Sequence, residues 1–207
     1  HPQKRFYTGG ASSVRGFAQS NLGPRVLFAT ATQLLSLDDG YGRCDPLELA
    51  ALSCDPDEDT ALQPRPTGGT RVVEINAELR FPVASVFEGV IFGDAGQAWG
   101  RDQAVGLSTL EVTPGVGVRF PSPVGPIRVD LAYRFRGGES LAVVTEVIEP
   151  FDPTNPDHER IVIRTAAGND MSIDWASTGA LSTLANPVLF GSNDRGLQLH
   201  VSIGQAF

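Results

Sequence analysis

The stretch Val73-Glu74-Ile75-Asn76-Ala77-Glu78-Leu79-Arg80-Phe81 carries apolar side chains at its odd positions and charged or amide side chains at its even ones. An extended chain turns successive side chains to opposite faces, so this segment has one wholly apolar face and one polar face. A half-buried strand of a soluble protein shows the same alternation. Repetition separates the two cases. Leu110 to Phe120 sets Leu110, Val112, Pro114, Val116, Val118 and Phe120 against Glu111, Thr113, Gly115, Gly117 and Arg119. Ile127 to Phe135 opposes Ile127, Val129, Leu131, Tyr133 and Phe135 to Arg128, Asp130, Ala132 and Arg134. With Val86 to Trp99 and Leu197 to Phe207 there are five such segments. Each is about ten residues long, the span a tilted strand needs to cross a hydrocarbon layer. The pattern predicts an all-β fold, the antiparallel wall of a transmembrane β-barrel.

Composition is compatible with that fold. The chain has 207 residues, of which 41% are apolar, and its mean hydropathy of -0.06 resembles that of a soluble protein. Half of each barrel strand faces a polar lumen, so hydropathy hides such walls and no run of eighteen apolar residues is needed. A net charge of -8 argues against a nucleic-acid partner, because phosphate backbones attract basic faces. Much of the acid lies in loops, as in Asp55-Pro56-Asp57-Glu58-Asp59, and reads as solvated surface. Asp152-Pro153-Thr154-Asn155-Pro156-Asp157 offers oxygen ligands without the spacing of a calcium loop, and reads as a solvated turn.

The turns organise the chain. Residues 1–70 form a long region rich in Gly, Pro and Asp. The strands 71–81, 86–99, 108–120, 127–135 and 197–207 follow, with a second long insertion at 136–195. Long and short connections alternate, as they do in outer-membrane barrels, where short turns face the periplasm and long loops face outward. Within the second insertion, Leu141 to Ile148 and Arg160 to Thr165 are β-branched and are expected to extend the wall as a hairpin. Five strands cannot close a transmembrane barrel, whose smallest forms need about eight. The chain is therefore expected to be the C-terminal part of a larger one. Cys44 and Cys54 enclose nine residues of the first loop. A disulfide is the expectation in an oxidising compartment, a reduced pair or a metal site being the alternative.

Four segments, in order, carry a family resemblance. Arg5-Phe6-Tyr7-Thr8-Gly9-Gly10-Ala11-Ser12-Ser13-Val14-Arg15-Gly16-Phe17 resembles the loop of the BamA/TamA superfamily of outer-membrane assembly factors, whose hallmark is Val-Arg-Gly-Phe/Tyr. Phe92-Gly93-Asp94-Ala95-Gly96 is similar to that family's second hallmark, a strand motif. Pro123-Val124-Gly125-Pro126-Ile127-Arg128 and Ser202-Ile203-Gly204-Gln205-Ala206-Phe207 resemble its closing pieces. The resemblance implies a sixteen-stranded barrel, of which this chain holds the last five strands, preceded by periplasmic POTRA domains. It also implies that the loop bearing Val14, Arg15, Gly16 and Phe17 folds back into the lumen, where Arg15 meets Asp94 and Glu78. Strand parity agrees, since Glu78 is on the polar face and Phe92, Asp94 and Gly96 share one face. Gly16 is expected to permit a tight turn and Gly96 to leave room for the loop. Without the resemblance, Arg15 and Asp94 would read as solvated residues.

Chemistry is poorly represented. Glu74 and Glu78 lie roughly 13 Å apart along a strand, too far for paired catalytic carboxylates. His1, His158 and His200 are scattered, and no nucleophile elbow, phosphate loop or metal cluster is apparent. His200 falls on the polar face of the last strand and reads as a plain lumen residue. The resemblance implies a cofactor-free factor of the bacterial outer membrane. It would insert client barrels through a seam beside the last strand, where the aromatic Phe207 suits the membrane interface and Gly204 either weakens the strand or merely relieves crowding against the lumen plug. The implied partners are nascent outer-membrane proteins, the lipid bilayer, and accessory lipoproteins or periplasmic subunits. A transport pore, such as the export channel of two-partner secretion, and a soluble β-sandwich binding domain are the competing readings.

Overall fold

The computed structural model describes residues 4–37, 44–56, 62–84, 86–123, 125–135, 138–190 and 196–204. In chain order its elements are β1 (Arg25–Phe28), α1 (Ala31–Leu35), α2 (Pro46–Ala50), β2 (Gln63–Pro66), β3 (Arg71–Ala84) and β4 (Phe87–Trp99). A short 3-10 turn, Leu107–Thr109, precedes β5 (Glu111–Phe120) and β6 (Ile127–Arg134). The last six strands are β7 (Glu139–Leu141), β8 (Val143–Pro150), β9 (Arg160–Arg164), β10 (Asp170–Thr183), β11 (Val188–Phe190) and β12 (Gly196–Ile203). Two compact units result, one from His1–Arg25, Pro66–Gly138 and Gly191–Phe207, the other from Val26–Arg65 and Glu139–Phe190.

The first unit is an open five-stranded sheet in the order β12-β6-β5-β4-β3, antiparallel throughout. Register turns the alternation of each strand into rows across the sheet. Leu79, Ile91, Val116, Leu131 and Leu199 align as one outer row. All five are exposed, Leu79 at 65% and Leu199 at 58%. The opposite face holds Asp94, Thr113, Arg119, Arg128 and Asp130, all buried. A soluble β-sandwich buries its apolar faces and wets its polar ones. This sheet does the reverse, which is the arrangement of a wall between lipid and a polar interior, so the sandwich reading fails here.

Strand ends follow local chemistry. β3 runs on through Pro82, with a register shift before Ala84. β12 ends where Gly204 takes φ +98° and donates its N–H to Pro126 O at 2.9 Å. That left-handed backbone suits glycine, and no described atom crowds the place of a Cβ there, so conformation rather than packing asks for glycine. Phe207, with Gln205 and Ala206, lies outside the described residues.

The second unit corrects the expectation of a wall-extending hairpin, and it draws β1, α1, α2 and β2 from the first region. β8 and β9 do not pair with each other. β10 lies between them in a sheet of order β2-β1-β8-β10-β9, and β1 joins β8 in parallel. Thr30 and Gln33 form a capping box that starts α1, and Asp45 caps α2 with Pro46 at its first turn. Leu27, Leu34 and Leu49 share a core with Val143, Ile148 and Ile161. The two insertions thus bury each other's apolar residues. Cys44 and Cys54 are bonded in this unit, with their Cα atoms 5.6 Å apart.

Candidate functional site

Residues 5–22 form a narrow loop laid on the polar face of the five-stranded sheet. Phe6 and Gly69 exchange backbone hydrogen bonds, Leu22 N–H donates to Thr8 O, and the tip is tightened by bonds from Gly10 and Phe17 to Val14 O. Glu74 of β3 accepts bonds from the hydroxyls of Thr8 and Ser13, and Asn76 donates to Ser13 O at 2.8 Å. These contacts fix the loop so that its four-residue motif faces the wall.

Each motif residue addresses its own part of the sheet. Val14 is fully buried, and a Cβ on Gly96 of β4 would lie 2.7 Å from its Cγ2. Gly96 therefore leaves the space that Val14 fills. Arg15, 3% exposed, forks onto Asp94 of β4, with Nε 2.7 Å from Oδ2 and Nη2 2.8 Å from Oδ1. Its backbone N–H also donates to Asp94 Oδ2 at 3.1 Å. Nη1 reaches Glu78 Oε2 of β3 at 2.8 Å, and the guanidinium stacks 3.4 Å from the Phe92 ring centroid. Phe92 in turn lies across Gly115 of β5, where a Cβ would meet its Cζ at 2.2 Å.

Gly16 stands in the expected tight turn, which the bond from Phe17 N–H to Val14 O closes, but its φ is not what calls for glycine. It is not among the glycines with positive φ. A Cβ there would sit 2.1 Å from Cγ2 of Thr113 on β5, so close approach to the wall is what excludes a side chain. Phe17 is buried under Arg134 of β6, whose guanidinium carbon is 5.1 Å from the ring centroid.

The charges form one connected cluster. Arg119 of β5 donates to Asp130 Oδ1 of β6 at 2.6 Å and to Glu78 Oε2 at 3.3 Å. Arg128 lies 3.4 Å from Asp130 Oδ2, and Arg15 Nη1 lies 3.7 Å from that same oxygen. Arg80 donates to Glu78 Oε1 at 2.6 Å. Burial works against the charge on Arg15, but its bonds to Asp94 and Glu78 outweigh this and raise its pKa above the ordinary arginine value. A planar fork with several donors suits this site, since Lys would supply a point charge without the two-bond geometry.

The structure thus brings Val14, Arg15, Gly16 and Phe17 together with Glu78, Phe92, Asp94 and Gly96. Gly204 lies at the end of β12, outside this cluster. Arg119, Arg128, Asp130 and Thr113 were visible in the sequence only as polar-face residues. Their part in the seat depends on register across neighbouring strands, which alternation along one strand does not contain. His200, read as a plain lumen residue, lies 2.9 Å by its Nε2 from the carbonyl oxygen of Arg15.

A wall with its apolar face outward and a charged loop gripped on its inner face defines an outer-membrane β-barrel protein. The chain belongs to the Omp85 superfamily: residues 1–142, which span the loop and strands β3 to β6, match the Omp85 superfamily domain. Members of this superfamily are outer-membrane proteins, and membership gives the chain a role in protein insertion or transport at that membrane.

Proposed function

We propose that this protein is an assembly factor of the BamA/TamA type, which folds and inserts client β-barrels into the bacterial outer membrane. The observation that carries the reading is the seat of Arg15, forked onto Asp94 and bonded to Glu78 with almost no exposure. A transport pore shares the strands but does not need the loop motif and the strand motif together, whereas an insertase benefits from a lumen organised around the strands that must move. In this reading the five strands are the last of a sixteen-stranded wall. β12 meets the first strand at a seam, and an incoming client strand adds there by backbone pairing. Such augmentation lowers the barrier to folding in lipid because unpaired N–H and C=O groups find partners on the edge. The work requires no cofactor and no small-molecule reaction. The partners are nascent outer-membrane proteins, the bilayer, and accessory lipoproteins or periplasmic subunits.

The test is reconstitution of the full-length protein into liposomes, with folding of a denatured outer-membrane barrel followed by protease resistance. Client folding is expected to be faster than in empty liposomes and to fall in Arg15→Ala. Equal folding in empty and loaded liposomes, with steady ion conductance in the latter, would replace this function with a transport pore.

A further inference from the structure

We infer that His200 is a positioning residue that ties the wall strand β12 to the loop, so that the seat of the loop and the pairing of β12 are one coupled element. His200 Nε2 lies 2.9 Å from the Arg15 carbonyl oxygen. That oxygen is only an acceptor, so Nε2 carries the hydrogen and donates. Arg15 is thereby held from two sides, its side chain by β3 and β4 and its carbonyl by β12. Counting Gly16 against Thr113 of β5 and Phe17 under Arg134 of β6, the motif braces all five strands of the sheet.

Geometry makes the tie sensitive to register. His200 pairs with Asp130, which pairs with Gly117, so the imidazole stands in the row beside the Arg119–Asp130 ion pair. A slip of β12 against β6 that keeps each side chain on its face is at least two residues, or roughly 7 Å. That distance exceeds hydrogen-bond reach. β12 therefore cannot change register or peel away at His200 while the loop stays seated, unless this bond breaks. The consequence for client entry rests on the insertion reading: a strand that yields to a client is restrained by the loop until the bond at His200 is released.

The experiment is hydrogen exchange on the full-length protein in lipid nanodiscs. His200→Ala is expected to raise exchange of the β12 amides about fivefold, the factor corresponding to one net neutral hydrogen bond. The amides of β4 and β5 are expected to keep their rates. His200→Gln, whose amide can donate to the same carbonyl, is expected to restore protection. Arg15→Ala is expected to loosen the same β12 amides, and the double substitution to add little to the larger single effect, as in a shared contact. Unchanged β12 exchange in His200→Ala, or effects of the two substitutions that simply multiply, would overturn the coupling. Client folding by the same variants is scored separately. Loosened β12 with unaltered client folding would leave the tie standing and count against the insertion reading.

Discussion

Removing the Arg15 side chain isolates the energetic logic of the loop seat. Asp94 is fully buried, and in Arg15→Ala its remaining hydrogen bonds among the described residues are from Asn76 Nδ2 at 2.9 Å and the residue 15 backbone N–H at 3.1 Å. The two guanidinium bonds to it, at 2.7 and 2.8 Å, disappear, together with the bond to Glu78. Breaking a buried ion pair from one side costs about 3–5 kcal/mol, because the remaining charge stays desolvated. At about 1.4 kcal/mol per tenfold, the unseated loop gains between two and four powers of ten in relative population. The assay is the rate of cleavage within residues 4–25 by a nonspecific protease, on protein folded in lipid. Arg15→Lys is expected to fall between wild type and Arg15→Ala, since it keeps a charge without the fork. Adding Asp94→Asn to Arg15→Ala is expected to recover part of the protection, because the harm lies mainly in the unpaired carboxylate. Wild-type protection in Arg15→Ala, or no recovery in the double variant, would refute this reasoning.

Three further outcomes are expected. Gly16→Ala places a methyl group 2.1 Å from Thr113 Cγ2, and overpacking of this kind costs about 1–3 kcal/mol; faster loop proteolysis, lessened when Thr113→Gly is added, checks it. Val116→Lys puts a cation in the outer row, and is expected to cost about 2–4 kcal/mol in a bilayer if the site is near the midplane; denaturant titration in liposomes measures it, and a near-zero change would place that face in water. Replacing Cys44 and Cys54 with Ser opens a crosslink spanning 10 positions, expected to destabilise the second unit by about 2–3 kcal/mol on a chain-entropy estimate; earlier thermal proteolysis of residues 139–190 with an unaltered wall reports it.

The wall was legible in the sequence because a period of two survives in each strand separately. Val73 to Phe81 announces its two faces without reference to any neighbour. The pairing of Arg15 with Asp94 and Glu78 came from the family resemblance, with parity adding only that the carboxylates share the inner face. Arg119, Asp130 and His200 joined the site through register, which is a relation between strands. The second unit was harder still. Its core draws Leu27, Leu34 and Leu49 from one insertion and Val143, Ile148 and Ile161 from another, with four wall strands between them. α1 buries Ala31, Leu34 and Leu35 at helical spacing and β9 alternates in burial, but such short runs do not say which distant segment completes their core. The hairpin expected from Leu141 to Ile148 and Arg160 to Thr165 failed for the same reason: both segments favour strands, but β10 supplies the better partner to each.

Insertion through a seam at β12 makes a demand that cysteine crosslinking can meet. Single cysteines are placed along β12 from Gly196 to Ile203, and others along the terminal strand of a client barrel during its folding by the full-length protein. Insertion by strand addition predicts disulfides between matched positions that advance together along the two strands, as a ladder in fixed register requires. Efficient client folding with no β12 crosslinks, or with crosslinks scattered without register, would contradict it.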